Sequence, residues 1–239
     1  MVGRRPALEA VRSGAAVELM IARGARRTAG LRELLDAARR AGVPVRRTSS
    51  EEVAGLAGGA RDQGVAVSIR GAPALAEPDL DRRDWGHRAV AVVLDGVADP
   101  RNLGGIARTA EAAGAEALVL RRRRGASVTA AAVRASAGAL LYLPVAEVAN
   151  VPRALARLKS AGFWAVGLDE AAETSIGEAR PPAGPLALVV GSEGEGLSRL
   201  VREACDELVS IPMAGSVASL NVAVAAGVAL YALTSWQER

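Results

Sequence analysis

Two uninterrupted apolar runs, Ala-Val-Ala-Val-Val-Leu at 89–94 and Leu-Ala-Leu-Val-Val at 186–190, constrain the fold of this 239-residue chain more than any other feature. Neither alternates polar with apolar residues, so a strand built from either needs cover on both faces. From residue 89 onward, apolar strands alternate with stretches of helical spacing. That alternation predicts an α/β fold with an open, doubly wound parallel sheet. Strands are predicted at Ala89–Val97, Ala117–Leu120, Leu140–Val145, Phe163–Leu168, Leu186–Val190 and Leu208–Pro212. Helices are predicted between them at about 102–113, 127–137, 150–161, 198–205 and 219–236.

A smaller αβαβαβ unit precedes this sheet. Its strands are read at Val17–Ala22, Val43–Arg47 and Val65–Ile69, after a short helix at 4–13. Between the first two strands, Leu31, Leu34, Leu35 and Ala38 form one apolar stripe of a helix from Thr28 to Ala41, with Gly42 to close it. Ser49 and Glu52 have the spacing of a capping box that opens the next helix. The division expected is a domain over 1–70, a linker over 71–88 with two prolines and no period, and a domain over 89–239. Trp85 and His87 are expected to pack against or cap the start of the second domain.

Composition removes several function classes. The apolar fraction is 50% and the charged fraction 23%, the balance of a folded chain. The single cysteine, Cys205, excludes a disulfide framework and a cysteine-cluster metal site, and reads as a buried helix residue. The single histidine, His87, excludes a His-rich zinc site and argues against a Ser-His-Asp triad. No apolar run reaches the roughly 18 residues of a membrane span. The start, MVGRRPALEA, has no apolar core of a secretion signal, so the cytoplasm is the expected location. Residues 1–70 carry 13 basic and 7 acidic side chains, whereas residues 89–239 carry 14 and 15. The excess is consistent with a polyanion-docking module, and equally with a chain that uses arginine wherever a surface charge is needed.

Three polar clusters interrupt the second domain, each just after a predicted strand. The first runs from Asp95 through Asp99-Pro100-Arg101-Asn102-Leu103-Gly104-Gly105 to Arg108. Asn102 is read as the helix cap, and Arg108, near the positive helix start, calls for an anion nearby. The second, Gly191-Ser192-Glu193-Gly194-Glu195-Gly196-Leu197, lacks the pattern of a phosphate-binding loop. Its two carboxylates favour a ligand with hydroxyls, amines or a positive centre. The third, Ile211-Pro212-Met213 to Ser219-Leu220-Asn221, opens a helix rich in Ala, Val and Leu. Ser216 or Ser219 suffices to cap that helix, but Asn221 then needs hydrogen-bond partners of its own. The Arg121–Arg124 run follows a strand end and fits either phosphate binding or solvated surface.

Together the three clusters resemble the motifs of the SpoU (TrmH) family of S-adenosylmethionine-dependent RNA 2′-O-ribose methyltransferases. Gly3-Arg4, Leu8-Glu9-Ala10, Gln63-Gly64-Val65, Ser136-Ala137-Gly138-Ala139, Pro144-Val145 and Val148-Ala149-Asn150 are similar to the bacterial subgroup that methylates a guanosine of 23S ribosomal RNA. The resemblance implies a SPOUT-type doubly wound sheet with a C-terminal trefoil knot, preceded by a small ribosomal-protein-like α/β domain that binds RNA. It implies a homodimer, no metal, and no membrane. It assigns Asn102, Arg108, Glu195, Ser219 and Asn221 to catalysis and RNA contact. It assigns Leu168, Gly191, Gly194, Gly196, Ile211, Met213, Ser219 and Leu220 to the cofactor. The family also contains tRNA enzymes and self-resistance enzymes that act on ribosomal adenosine or uridine, and these stand as alternative substrates. A non-catalytic RNA-binding protein that keeps the knot as a scaffold is a further alternative, against which Asn102, Arg108, Glu195 and Asn221 speak.

Overall fold

The computed structural model describes residues 1–234 apart from Gly58, Ala60, Ala72, Arg124 and Ala218. The chain forms two compact units, Met1–Ala72 and Pro73–Arg239.

The first unit contains α1 (Arg4–Arg12), β1 (Ala16–Ala22), α2 (Ala29–Arg40), β2 (Val45–Thr48), α3 (Ser50–Ala57) and β3 (Val65–Ile69). Its sheet has the order β2-β1-β3, with β1 parallel to β2 and antiparallel to β3. Alternation along β1 sends Met20 and Ala22 into a cluster with Val53 and Ala57 of α3. Leu19 and Ile21 point the other way and are fully buried on the face α1 covers. In α2 the Thr28 side chain accepts from the Leu31 N–H at 3.3 Å, and Leu31, Leu34, Ala37 and Ala38 form its buried stripe. Half of the expected capping box forms: Ser49 Oγ accepts from the Glu52 N–H at 3.1 Å. The Glu52 carboxylate instead accepts from Arg46 at 2.9 Å and from Thr48. Those bonds hold it below the usual carboxylate range, Arg46 contributing most.

The second unit contains β4 (Val90–Asp95), α4 (Pro100–Ala112), β5 (Ala117–Arg121), α5 (Ala130–Ala135), β6 (Val145–Val148) and α6 (Val151–Ser160). It continues with β7 (Trp164–Leu168), β8 (Leu186–Gly191), α7 (Arg199–Ala204), β9 (Glu207–Val209) and α8 (Val222–Thr234). The sheet order is β6-β5-β4-β8-β7-β9, and every pairing is parallel. The predicted α/β class and doubly wound parallel sheet are what the chain forms. All six residues of β4 and of β8 are buried, which explains their continuous apolar composition. Ala91, Val93, Ala187 and Val189 pack with Leu155, Leu158 and Val201 of α6 and α7. The residues alternating with them line the opposite face, where α8 lies against β8. Each fully buried Val or Leu stabilises the fold by about 1.5–3 kcal/mol.

Three expectations need correction. The run Leu140–Val145 is not a strand: residues Ala139–Leu141 form a 3-10 turn, and β6 starts at Val145. The buried Ser136 hydroxyl accepts from the Leu140 N–H at 3.3 Å, so the backbone there is satisfied locally and not by a ladder. The segment 71–88 is no free linker beyond Pro73. Leu75 N–H donates to Val145 O at 2.9 Å, Val145 N–H donates to Pro73 O at 2.8 Å, and Leu80 is fully buried. Arg153 and Arg157 pair with Glu77 and Asp81, and Trp85 packs edge-on against Phe163 at 5.1 Å, while His87 is exposed. Finally, α8 begins at Val222 and not at 219; residues 235 and 236, included in the predicted helix, lie outside the described residues, as does Arg124 of the arginine run.

Candidate active site

The chain runs outward through β4, β5 and β6, crosses to β7, and returns through β8 to pair with β4. Strand order therefore reverses between β4 and β8, where open α/β sheets form a ligand crevice at the strands' C-terminal ends. Asp95 and Gly191 are register partners at that point. The first two polar clusters follow them.

In the first cluster Asp99, not Asn102, caps α4. Its carboxylate accepts from the Arg101 N–H at 2.8 Å, and Pro100 occupies the first helical position, where no N–H is needed. The Arg101 guanidinium turns back onto the same carboxylate at 3.0 Å. That hydrogen bond, with the backbone one, holds the Asp99 carboxyl below its ordinary range. Asn102 is thereby released from capping and sits in the first turn. One helical stripe from it carries Gly105 and Thr109 toward α8. A Cβ on Gly105 would stand 2.9 Å from the Ala223 Cβ, and one on Gly227 would stand 3.2 Å from Thr109 Cγ2. These small residues let α4 and α8 approach closely enough for Asn102 to meet the residue that opens α8.

That residue is Asn221. Its Oδ1 accepts from the Ala223 N–H at 3.0 Å, so Asn221 supplies the cap for which Ser216 and Ser219 sufficed on sequence grounds. Its Nδ2 donates to Asn102 Oδ1 at 3.0 Å and to Glu193 Oε1 at 2.9 Å. One amide thus ties together residues from all three clusters. The partners that Asn221 requires are side chains at the crevice mouth, where Asn221 itself is exposed.

The second cluster folds back over the end of β8. Ser192 and Gly196 exchange two backbone hydrogen bonds of 3.0 Å. A Cβ on Gly191 would lie 2.1 Å from the Gly196 carbonyl carbon, so only glycine fits. Gly194 and Gly196 have φ of 91° and 64°. The Asp95 carboxylate, 4% exposed, accepts from the Ser198 N–H at 2.8 Å and pins the far end of the loop. Asp169, 8% exposed after β7, accepts from the Ala171 N–H at 2.9 Å and pairs with Arg202 at 2.6 Å. Asp95 and Glu193 lie inside the clusters read from the sequence but are given no role of their own there, and Asp169 falls outside them. The available signal for the two aspartates was a lone carboxylate closing an apolar strand.

The third cluster extends from β9. Among the described residues from Ile211 to Leu220, no backbone N–H donates to another described residue. Met213 and Leu220 expose 39% and 37% of their surface, and Ile211 is half-buried. Leu168 lies at the end of β7, half-buried and paired with Val209. Leu168, Gly191 and Ile211 thus mark the ends of neighbouring strands.

Of the five residues expected to be catalytic, the structure joins Asn102 and Asn221 directly. Arg108, Glu195 and Ser219 are exposed, and their side chains make no hydrogen bond or ion pair with another described residue. Cys205 packs beside Gly167, whose added Cβ would stand 2.9 Å from its Sγ. Burial first, and Asp206 second, push its thiol up to about 12. Among the described residues, no group of three or more His, Cys, Asp or Glu is placed to hold a metal ion.

Residues 89–231 match the SpoU rRNA Methylase family, and residues 1–74 match the RNA 2′-O ribose methyltransferase substrate binding domain. The chain is 43% identical to the 23S rRNA (guanosine-2′-O-)-methyltransferase RlmB of Xanthomonas campestris, over 84% of this chain and 81% of that protein. It is 41% identical to RlmB of Photobacterium profundum, over 80% of this chain and 78% of that protein. Among solved structures it resembles the SpoU methyltransferase AviRb of Streptomyces viridochromogenes in complex with AdoMet. There the identity is 29%, the coverage 100% of this chain and 89% of that chain, and the TM-score 0.80.

Proposed function

The chain belongs to the SpoU rRNA methylase family, and from that premise we propose that it methylates the ribose 2′-hydroxyl of a guanosine in 23S ribosomal RNA. It is an RNA 2′-O-methyltransferase, and S-adenosylmethionine is its methyl donor. The observation that carries the reading is the Asn102–Asn221–Glu193 junction, which gathers the three family motifs at one crevice.

The third cluster fits the donor's adenosine. Backbone N–H groups of the described residues between Ile211 and Leu220 make no hydrogen bond to another described residue and can meet the edge of a purine, and the exposed Met213 and Leu220 side chains can meet its face. Leu168, Gly191, Gly194, Gly196 and Ser219 complete the proposed cofactor contacts. When bound, S-adenosylmethionine supplies a methyl group activated by a sulfonium. The chain's own side chains must then deal with the nucleophile, because a protonated hydroxyl attacks poorly. Glu195, exposed at the loop tip, is assigned to take the 2′-hydroxyl proton, directly or through water. Arg108 is assigned to clamp the adjoining phosphate and to stabilise negative charge developing on the 2′-oxygen. A guanidinium carries five N–H donors and no acceptor, which suits a clamp and not a base. Asn102 and Ser219 are assigned to the RNA-facing rim. Glu193 is a positioning residue, holding the Asn221 amide.

We assign RNA capture to the first unit and methyl transfer to the second. The trefoil knot belongs to the same proposal. In its favour, the chain leaves β9 at the sheet edge and returns as α8 to pack on the central β8 and on α4. A homodimer is proposed from α8, where Val224, Val228 and Tyr231 expose an apolar stripe at i, i+4 and i+7. No helix among the described residues is long and apolar enough to cross a membrane, and the cytoplasm, where ribosomal RNA is made, is the proposed location.

The test uses 23S rRNA from cells lacking this gene, incubated with the protein and tritiated S-adenosylmethionine. Label confined to one 2′-O-methylguanosine is expected. Label on tRNA alone, or on adenosine or uridine, would replace the guanosine assignment.

A further inference from the structure

The first unit carries an open cavity of about 450 Å³ at its surface, in the range of small-ligand sites. Three helices begin at its wall: α1 at Arg4, α2 after Thr28 and α3 at Ser50. Helix starts carry partial positive charge, and neither α1 nor α2 has an acidic residue in its first turn. α3 has Glu51 and Glu52 there, but Glu52 is engaged by Arg46 and Thr48. Arg4, Arg26 and Arg61 line the same cavity. Arg26 and Arg61 are exposed and make no ion pair with another described residue. The one carboxylate in the lining, Asp62, accepts from the Gly64 N–H at 2.6 Å.

The cavity is built firmly. The Arg4 guanidinium donates to Thr28 Oγ1, to Arg26 O at 2.9 Å and to Gln63 O at 3.3 Å, lacing two loops together. Its Nε is buried without a partner. Gln63 holds a left-handed φ of 56°, and a Cβ on Gly64 would stand 2.9 Å from the Ala25 Cβ. The walls therefore exist before any ligand arrives.

We propose that this cavity seats one unstacked nucleotide of the RNA substrate, its phosphate against Arg26 and Arg61 and its base beside Ala22 and Ala25. The proposal rests on RNA being the substrate. An open pocket of this size has room for about one nucleotide and not for a duplex, and bases splayed from loops and bulges can enter it. None of the six Phe, Tyr and Trp residues falls within residues 1–72. Stacking must then use guanidinium planes, and affinity must depend steeply on salt.

The test compares the full-length protein with the double variant Arg26→Glu/Arg61→Glu and a control, Arg39→Glu/Arg40→Glu. The control changes net charge equally at the other end of α2, about 16 Å away. Affinity for transcribed 23S rRNA and for S-adenosylmethionine, methyl transfer, and melting temperature are measured for each. The cavity variant is expected to lose roughly tenfold or more in RNA affinity, and its salt slope to fall by about two. Its S-adenosylmethionine affinity and melting temperature are expected to match the parent. Equal losses in the control, or an unchanged RNA affinity in the cavity variant, would overturn the proposal. If the variant unfolds, Arg61→Ala alone is measured against Arg40→Ala by the same criteria. A parent protein that binds RNA through the cavity yet methylates no RNA refutes the proposed reaction and leaves the cavity assignment standing.

Discussion

Around the cavity of residues 1–72 the walls are helix starts and arginines; around the crevice of the second unit they are loops, side-chain amides and carboxylates. The cavity is held by one arginine laced to two loops, the crevice by one asparagine joined to two side chains and a helix start. Charge in the first unit suits long-range capture of a polyanion, which geometry need only finish. Reaction in the second requires groups placed within hydrogen-bond distance of one another, and the all-buried β4 and β8 provide that rigidity. The teaching is that a local excess of basic residues, here in 1–70, marks where a polyanion is best held and says little about where reacting groups are placed.

The sharpest challenge to this division is Arg108→Ala. Its kcat should fall by about 10²–10³-fold while cofactor affinity changes by less than about twofold. A parallel loss of cofactor affinity, read by calorimetry, would make Arg108 part of the binding site. Next come the two glycine contacts. Gly191→Ala drives a Cβ into the Gly196 backbone and should destabilise the second unit by about 3 kcal/mol or more. Gly64→Ala meets the Ala25 Cβ at 2.9 Å and its Cα at 3.3 Å, at a φ of 73°, and should cost about 1–2 kcal/mol. Denaturant melts that ranked them the other way would break the contrast between a loop with no room for a methyl group and one that needs only a small shift.

Asn221→Ala removes a cap and two amide hydrogen bonds, so stability should drop by about 1 kcal/mol and kcat/KM by roughly tenfold. Asn221→Ser keeps an acceptor for the Ala223 N–H; it should recover stability and not activity. Recovery of both would reduce Asn221 to a helix cap. Val228→Glu should convert a dimer into a monomer by sedimentation, leaving RNA binding by the first unit intact. The smallest effect is acid stability. Asp99 and Glu52, one in each unit, have carboxyls held below the ordinary range. Each contributes stability at pH above its unfolded-state value, and that contribution is lost only as pH falls through the lower folded-state value. Asp99→Asn and Glu52→Gln should therefore narrow the difference in melting temperature between pH 6 and the acid limb, by similar small amounts.

Much of the fold was legible because strand and helix periodicities are local properties. The continuous apolar runs at 89–94 and 186–190 located the two central strands and required cover on both faces. Leu140–Val145 misled because an apolar run is equally well buried as a turn when Ser136 satisfies its backbone. Residues 73–88 looked like a linker because their attachments, Leu75 to Val145 and Arg157 to Asp81, join positions some seventy residues apart. The site was legible as three clusters through their polar residues in apolar surroundings. Which carboxylate meets Asn221 was not, since Glu193 and Glu195 differ only in the turn geometry that Gly194 and Gly196 impose.

Cys205 has a practical corollary. With its thiol pushed up to about 12, the thiolate at pH 8 amounts to roughly one part in ten thousand. Its Sγ is turned toward Val201 O at 3.3 Å and packed beside Gly167, and the residue is half-buried. A chromogenic thiol reagent added to the native protein should therefore develop colour only as fast as α7 lifts from β7. Because the chain has no second cysteine, that slow colour change is a clock for local opening in the methyl-transfer unit, readable without attaching any probe.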